Sequence, residues 1–277
     1  MTRITVTSQD TSIELEVVDS GGSGRPVVLI HGWPVTHESW VPQVPALTNA
    51  GYRVVTYDRR GFGQSDKPAD GYDYDTLADD LAGVLEALDL HDVTLVGFSM
   101  GGGEVARYAA KHGSDRLHSV VFASAVPPYL LHTEDNPEGP FTREAADEMK
   151  DGVRTGGAEF FEGFTTNFFS ADGELMVSDE QLTTAREQCA QADETAAVEC
   201  IEAFATTDFR EDLTQISLPT LVLHGSADAI VPIENSGMRT AEAIEGARVH
   251  VIQDGPHGVN VSHAANFNLA LLAFLES

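Results

Sequence analysis

Cysteine is scarce in this sequence, because Cys189 and Cys200 are the only two among 277 residues. On one continuous helix they would lie about 16 Å apart at a rise of about 1.5 Å per residue, which is too far for a disulfide bond. A turn between them would allow a disulfide bond, but disulfides are rare in intracellular proteins. We therefore expect two buried thiols.

Positive charge is scarce as well. Lysine and arginine together number 16 against 44 acidic residues, the formal net charge is −28, and the lysines are Lys67, Lys111 and Lys150 alone. This field repels phosphate backbones and anionic lipid surfaces, so the charge disfavours nucleic-acid and membrane partners. The acidic residues also repel one another, and high salt would screen that repulsion. The composition resembles that of halophilic proteins, and we predict halophily over a merely acidic mesophilic protein.

Long apolar runs are missing. No stretch of about 18 apolar residues predicts a membrane span, and the first five residues have no apolar stretch typical of a signal peptide. We therefore expect a cytoplasmic protein. The length of 277 residues and the hydrophobic content of 42% are enough for one large core with an insertion.

Short apolar runs alternate with helical patterns along most of the chain. The predicted strands cover residues 4–7, 13–18, 27–30, 53–57, 93–97, 117–123, 220–224 and 249–252. The predicted helices cover residues 76–90, 100–112 and 262–275. The first two strands alternate like an edge hairpin, whereas the continuous apolar run 27–30 fits a strand buried on both faces. This order predicts an α/β fold with a mainly parallel sheet covered by helices on both faces.

The alternation stops between residues 127 and 213, where polar helical segments are interrupted by glycine, proline and aspartate. We interpret residues 127–213 as a helical cap insertion over the carboxyl edge of the sheet. The core would then comprise residues 1–126 and 214–277. The insertion contains a phenylalanine cluster: Phe160, Phe161, Phe164, Phe168 and Phe169. We expect most of these rings to pack the insertion onto the core and one or two to line a substrate pocket.

A Gly-x-Ser-x-Gly motif follows the predicted strand 93–97 and begins the next helix. Gly97 and Gly101 remove side chains where a sharp turn brings strand and helix together, so Ser99 can project from the sheet in a strained conformation. The backbone N–H of Met100 at the helix start is then free to bind a developing oxyanion. The motif in this context predicts that Ser99 is a nucleophile.

A serine nucleophile needs a base that takes its proton. Of the ten histidines, His257 fits best, because it follows the last predicted strand and has small neighbours that leave its imidazole accessible. His31 more plausibly braces the backbone of its own loop. His224 ends a strand and is expected to be a structural hydrogen-bond donor.

The third member of a triad must orient the imidazole and stabilise its protonated form. Asp228 follows the predicted strand 220–224 and precedes His257 in the chain, an order that serine hydrolases use. Asp254 is too close to His257 in sequence to reach behind its ring. Asp58 precedes two arginines, which suggests an ion-paired loop. We therefore predict that Asp228 is the acid.

The second oxyanion donor is expected in the loop after the predicted strand 27–30. Trp33 is the candidate through its backbone N–H, because Pro34 has no N–H to donate. The alternative is a rigid turn in which Trp33 only packs.

Four motifs together resemble those of the cofactor-free haloperoxidases (perhydrolases) and arylesterases of the α/β-hydrolase superfamily. They are His31-Gly32-Trp33-Pro34, Tyr57-Asp58-Arg59-Arg60-Gly61-Phe62-Gly63-Gln64-Ser65, Gly97-Phe98-Ser99-Met100-Gly101 and Pro256-His257-Gly258. The resemblance implies an α/β-hydrolase fold, a triad of Ser99, Asp228 and His257, and oxyanion donors at Trp33 and Met100.

The same resemblance implies hydrolysis of small carboxylic esters and perhydrolysis, in which hydrogen peroxide replaces water and the resulting peracid oxidises halide. It implies no cofactor, no metal and no haem. A small ester or carboxylic acid and hydrogen peroxide are the expected partners, and a homo-oligomer stays open.

Other activities share parts of this pattern. Haloalkane dehalogenases and epoxide hydrolases carry an aspartate where this sequence has Ser99, which argues against both. A lactamase or a lyase with the same triad stays open, and so does a noncatalytic ligand-binding protein that keeps the pocket. Labelling of Ser99 by a fluorophosphonate would separate an enzyme from the noncatalytic alternative.

Overall fold

The main sheet of the protein is described here from a computed structural model, which covers residues 2–8 and 11–277. Within these residues the sheet contains β1 (Thr2–Ser8), β2 (Thr11–Asp19), β3 (Pro26–Ile30), β4 (Arg53–Tyr57), β5 (Val93–Phe98), β6 (Leu117–Ala123), β9 (Thr220–Gly225) and β10 (Arg248–Ile252). A separate small hairpin contains β7 (Ser170–Ala171) and β8 (Glu174–Leu175). Along the sheet the strand order is β1-β2-β4-β3-β5-β6-β9-β10.

Strand direction divides this sheet into two parts. β1 pairs antiparallel with β2, and β2 pairs antiparallel with β4. From β4 to β10 every pair is parallel, and in that register Val28 lies between Val55 and Leu95. The carboxyl ends of these parallel strands therefore meet at one edge, where such folds place their ligand sites.

Helices cover both faces of the sheet. They are α1 (Val44–Asn49), α2 (Tyr74–Ala87), α3 (Met100–His112), α4 (Arg143–Phe168), α5 (Asp179–Cys189), α6 (Glu194–Thr206), α7 (Arg210–Leu213), α8 (Gly237–Ala243), α9 (Val259–Ser262) and α10 (Ala264–Leu275). None of the described helices is long and apolar enough to cross a bilayer.

Two apolar clusters follow from the alternation of side chains along the strands. On one face Val28 and Leu95 share a cluster with Leu77 of α2 and Val105 of α3. On the other face Val27 and Val96 belong to a second cluster, which includes Leu47 of α1 and Leu271 of α10. A strand buried on both faces needs apolar residues at successive positions, which explains the continuous apolar runs in the sequence.

The predicted α/β architecture is confirmed, and each of the eight predicted strands is a strand of the main sheet. Helix α2 begins at Tyr74, two residues before the predicted start, because the Asp73 carboxylate caps it by accepting from the Thr76 N–H at 3.0 Å. The predicted C-terminal helix corresponds to α10, which begins two residues after the predicted start. The short helices α1, α8 and α9 were not predicted.

Residues 127–213 contain α4 to α7 and the β7–β8 hairpin. The short hairpin was not predicted, and its turn is Asp172-Gly173 with φ of 50° and 84°. Two successive positive φ angles favour a two-residue hairpin, and an Asp-Gly pair is a recognised signal for it.

The two cysteines lie on different helices, Cys189 in α5 and Cys200 in α6, so the distance argument for a single helix does not apply to them. Both are free and buried, as predicted. Burial raises the pKa of each thiol to about 12, which keeps both protonated at neutral pH.

Candidate active site

Ser99 occupies a sharp turn between β5 and α3, with φ of 53° and ψ of −118°. A Cβ atom at position 97 would lie 2.4 Å from the Gly101 carbonyl oxygen, and one at position 101 would lie 2.6 Å from the Ile30 carbonyl oxygen. Only glycine therefore fits on either side of the turn. The surrounding packing holds Ser99 in a conformation that L-residues rarely adopt, a strain that is common at functional sites.

His257 faces this turn from the loop after β10. Its Nε2 lies 2.9 Å from Ser99 Oγ. The loop is held against β9, because a Cβ at position 225 would lie 2.1 Å from the Gly255 carbonyl oxygen. Close packing of two glycines thus brings the histidine of one loop to the serine of another, 158 residues away in sequence.

Asp228 lies behind His257, in the loop after β9. Its Oδ2 is 2.7 Å from His257 Nδ1, and its Oδ1 accepts the N–H groups of Ile230 at 3.0 Å and Val231 at 2.8 Å. A carboxylate only accepts, so Nδ1 carries the proton and the unprotonated Nε2 faces the Ser99 hydroxyl. This is the tautomer that a general base requires.

The electrostatics of the carboxylate fit that arrangement. Burial by itself would raise the pKa of Asp228, but the charge of His257 and the hydrogen bonds from His224 and His257 outweigh it and hold the pKa well below its usual range. Asp228 is therefore ionised at neutral pH and can stabilise an imidazolium at His257.

Met100 and Trp33 flank Ser99. Met100 is the first residue of α3, and the first N–H groups of a helix have no acceptor within it. The loop that carries Trp33 lies against the turn, because a Cβ at position 32 would be 3.0 Å from Ser99 Cβ. The Trp33 side chain also packs, with its Nε1 donating to the Ala197 carbonyl oxygen at 3.0 Å. Both residues border the serine, and their oxyanion roles stay predictions.

His31 braces this loop, as predicted. Its Nε2 accepts the Arg59 N–H at 2.9 Å, and its Nδ1 donates to the Gly32 carbonyl oxygen at 2.8 Å. Burial and the adjacent Arg59 charge lower the pKa of His31 to about 3, so the ring is neutral. Arg59 in turn forms a buried ion pair with Glu104, which also accepts from the Tyr57 hydroxyl at 2.8 Å.

The loop of Asp58, Arg59 and Arg60 is ion-paired, as the sequence suggested, and each of its three charged residues has a partner outside the loop. Asp58 binds His37 Nδ1 at 2.7 Å and accepts the backbone N–H groups of His37 and Gln64 at 2.9 Å. Arg59 pairs with Glu104, and Arg60 pairs with Asp80 at 2.6 Å. The other rival acid, Asp254, donates its backbone N–H to the Ser226 hydroxyl at 2.9 Å, and it is Asp228 that binds His257.

A small cavity of about 30 Å³ opens onto the serine and the histidine. It is lined by Trp33, Ser99, Val126, Leu130, Phe141, Met149, Phe164, Phe204, Ile230, Val231 and His257. A larger cavity of about 250 Å³ lies beyond Phe98 and Phe168 and includes neither Ser99 nor His257. We take the smaller cavity as the candidate site because it contains the reactive groups.

The phenylalanine cluster divides as expected. Phe164 lines the small cavity and packs edge-on against Trp33, with ring centroids 5.0 Å apart. Phe160 and Phe161 also pack against Trp33, at 6.5 and 6.1 Å. Phe168 contacts the His257 ring, with ring centroids 5.0 Å apart. The rings thus join the insertion to the site and keep it apolar.

Sequence reasoning missed one neighbour of the triad. His224, expected to be a structural donor, has its Nε2 2.9 Å from the Val231 carbonyl oxygen and 3.2 Å from Asp228 Oδ2. A position four residues before a predicted catalytic acid, at the end of the same strand, could have indicated this contact. Among the residues that the structure describes, no group of three or more histidine, cysteine or acidic side chains is arranged to hold a metal.

Known proteins resemble the chain over nearly its whole length. A family model described as "alpha/beta hydrolase fold" matches residues 25–264. The non-heme chloroperoxidase CPO-A1 of Kitasatospora aureofaciens is 44% identical over 259 residues, 92% of this chain and 94% of that protein. The bifunctional esterase/perhydrolase DCH of Acinetobacter calcoaceticus is 35% identical over 275 residues, 98% of this chain and 99% of that protein. The crystal structure of bromoperoxidase from Bacillus anthracis matches with a TM-score of 0.95 and 49% identity, covering 100% of both chains.

The chain belongs to the α/β-hydrolase fold family. Its relatives in that family are named as non-heme haloperoxidases and as an esterase/perhydrolase, so the family predicted from the four motifs is confirmed. These relatives do not favour the lactamase, lyase or noncatalytic alternatives. The individual roles of Ser99, Asp228, His257, Trp33 and Met100 remain predictions.

Proposed function

We propose that this protein is a serine hydrolase that cleaves small carboxylic esters through an acyl-enzyme and transfers the acyl group to hydrogen peroxide as well as to water. The observation that carries the proposal is the continuous hydrogen-bonded series from Ser99 Oγ through His257 to Asp228, at 2.9 and 2.7 Å. The relatives named as haloperoxidases and as an esterase/perhydrolase support the two acyl acceptors.

In the acylation step, His257 Nε2 takes the hydroxyl proton while Ser99 Oγ attacks the ester carbonyl carbon. Asp228 stabilises the imidazolium that forms, and the N–H groups of Met100 and Trp33 bind the oxyanion. The bond to the alcohol oxygen then breaks, and His257 returns the proton to the departing alcohol. One oxyanion donor in such sites contributes roughly 2.7 to 4 kcal/mol of transition-state stabilisation.

In the deacylation step, His257 removes a proton from water or from hydrogen peroxide, whose oxygen attacks the acyl carbon. The bond to Ser99 Oγ breaks, and the serine regains its proton. Water releases a carboxylic acid, whereas peroxide releases a peroxycarboxylic acid. That peracid can oxidise a halide ion and is thereby reduced to the carboxylic acid, so the protein itself needs no redox centre for this chemistry.

The cavity supports a small, uncharged acyl group. Its volume of about 30 Å³ and its largely apolar lining leave little room beside the serine and no cationic partner for a carboxylate among the lining residues. Phe141, Met149, Phe164 and Ile230 also line an open groove between α4 and the loop after β9. We propose that residues 127–213 act as a cap and that the substrate enters along this groove.

Two further proposals concern the surroundings of the enzyme. The net charge of −28, with only 16 basic residues to offset 44 acidic ones, supports adaptation to high salt. The free buried thiols of Cys189 and Cys200 are compatible with a reducing compartment, so we propose the cytoplasm as the site of action.

The test of the proposed function is the pair of variants Ser99→Ala and Ser124→Ala. Ser124 is a matched control, because it is also buried, follows the neighbouring parallel strand and has a positive φ of 42°, but its Oγ has no hydrogen-bond partner in the described structure. We expect Ser99→Ala to abolish hydrolysis of p-nitrophenyl acetate and peracid formation together. Ser124→Ala should keep both, and retained activity in Ser99→Ala would overturn the proposal.

A further inference from the structure

His224 is a buried histidine that the mechanism above does not use. It lies in β9, its side chain is fully buried, and its Nε2 is 2.9 Å from the Val231 carbonyl oxygen and 3.2 Å from Asp228 Oδ2. The same Oδ2 accepts the His257 Nδ1–H at 2.7 Å. One carboxylate oxygen thus faces two imidazole rings.

The contacts define the protonation of the His224 ring. A carbonyl oxygen only accepts, so Nε2 carries a proton. Nδ1 is buried and has no hydrogen-bond partner in the part of the chain that the structure describes, and Gly237 of α8 packs so closely that a Cβ there would lie 2.7 Å away. A proton on Nδ1 would be an unpaired buried donor on a charged ring, which is costly. The ring is therefore neutral.

This neutral ring supports the loop that carries Asp228 at two points. Val231, whose carbonyl accepts from His224, donates its own N–H to Asp228 Oδ1 at 2.8 Å. The His224 Nε2–H also directs its positive end towards Oδ2. The ring therefore holds the loop and offsets part of the negative charge that faces His257.

We propose that His224 is a positioning residue for the hydrolase reaction. It holds the Asp228 carboxylate in place and offsets part of the negative charge that Asp228 presents to His257. The inference rests on the proposed function, because it concerns the base of that reaction. His224 touches neither the serine nor the cavity beside it in this structure, and it acts through Asp228.

The proposal predicts the direction of a pH effect. The titratable groups facing Asp228 are His224 from β9 and His257 from the loop after β10. His257 faces Asp228, the uncharged Ser99 and the uncharged rings of Phe98 and Phe168. Loss of the His224 Nε2–H leaves more negative charge against the imidazolium, so protonation of the base becomes easier. The acid limb, which is the acidic side of the pH profile of kcat/KM, reports that protonation. It should therefore move to higher pH.

The experiment compares His224→Phe with His224→Gln, whose amide retains an N–H donor at about the reach of Nε2. We expect His224→Phe to lower kcat/KM for p-nitrophenyl acetate roughly tenfold and to move the acid limb up by about half a unit to one unit. His224→Gln should restore most of the acid-limb position. His224→Asn, which is too short to reach Oδ2, replaces the phenylalanine variant if that variant does not fold.

A double variant tests whether His224 acts through Asp228. In an Asp228→Asn background, His224→Phe should change kcat/KM by less than about threefold, because coupled residues are not additive. An unchanged acid limb in His224→Phe, or a full tenfold loss in the double variant, would overturn the proposal. Failure of the parent enzyme to react with a fluorophosphonate would instead count against the proposed function.

Discussion

Two aspartate–histidine pairs stand at the carboxyl edge of this sheet, and the distances within them are the same. Asp228 binds His257 Nδ1 at 2.7 Å after β9, and Asp58 binds His37 Nδ1 at 2.7 Å after β4. Only the first histidine presents its other nitrogen to a serine hydroxyl beside a cavity. An aspartate–histidine pair alone therefore does not define the candidate active site, whereas the strained serine and the cavity distinguish it.

The two pairs also differ in what holds the histidine. His257 is inside the site, where its ring contacts the rings of Phe98 and Phe168. His37 is in a short 3₁₀ helix near the surface, and Asp58 binds both its ring and its backbone N–H, so this pair closes a loop. We therefore expect the first pair to govern turnover and the second to govern stability.

The largest expected effect separates the pairs by activity. Asp228→Asn should lower kcat by roughly 10³ to 10⁴ with a small change in KM, because the imidazole loses its orientation and its counter-charge. The matched change Asp58→Asn should leave kcat within about threefold of the parent, since no interaction with the reacting atoms is lost. Steady-state kinetics on p-nitrophenyl acetate measure both, and a larger loss in Asp254→Asn would reassign the acid.

The second prediction separates the pairs by stability. Burial by itself would raise the pKa of Asp58, but the hydrogen bonds from His37 and Gln64 outweigh it and lower that pKa. For His37, burial by itself would lower the pKa, but the hydrogen bond and charge of Asp58 outweigh it and raise that pKa. The carboxylate stabilises the fold above about pH 4, and the imidazolium does so below about pH 6.5 and loses this contribution as the pH rises further.

Asp58→Asn should therefore reduce the free energy of unfolding by about 1 to 3 kcal/mol, most strongly between about pH 5 and pH 6. Urea unfolding at about pH 5.5 and about pH 9 measures this difference. Equal destabilisation by Asp58→Asn at the two pH values would show that the ion pair is not the cause.

The sequence allowed the first pair to be predicted and not the second. Ser99, Asp228 and His257 each follow a strand of the parallel part of the sheet, so the sheet brings them to one edge. His37 precedes Asp58 by 21 residues, in a segment without a periodic pattern. Arg59 pairs with Glu104, which lies in α3. Such partners depend on how loops and helices pack, which local patterns do not specify. His224 was predicted correctly as a donor, and its second contact, to Asp228, was missed.

The third prediction concerns the small cavity beside Ser99, which His257 lines and His37 does not. Phe164→Ala enlarges the cavity. Phe161→Ala removes a ring that also packs on Trp33 but does not line the cavity. We expect Phe164→Ala to raise the ratio of kcat/KM for p-nitrophenyl hexanoate over acetate by about three- to tenfold. Phe161→Ala should leave the ratio near that of the parent. The same ratio in both variants would exclude Phe164 as a wall of the acyl site.

The smallest expected effect concerns salt. About 2 M KCl should raise the Tm of the parent by a few degrees, because it screens repulsion among exposed acidic residues. Since buried pairs are poorly screened, Asp58→Asn and Asp228→Asn should show the same increment as the parent. Thermal unfolding at several KCl concentrations checks both expectations, and a Tm that does not change with salt would contradict the proposed halophily.

The most direct test of the central claim is the mass of the protein after reaction with a fluorophosphonate, followed by peptide mapping. A serine activated by the His257–Asp228 pair should take up about one label per chain, and the label should lie on Ser99. Ser99→Ala should remain unlabelled under the same conditions, while Ser124→Ala and Asp58→Asn should label as the parent does. A parent that stays unlabelled, or a label on any other residue, would contradict the account.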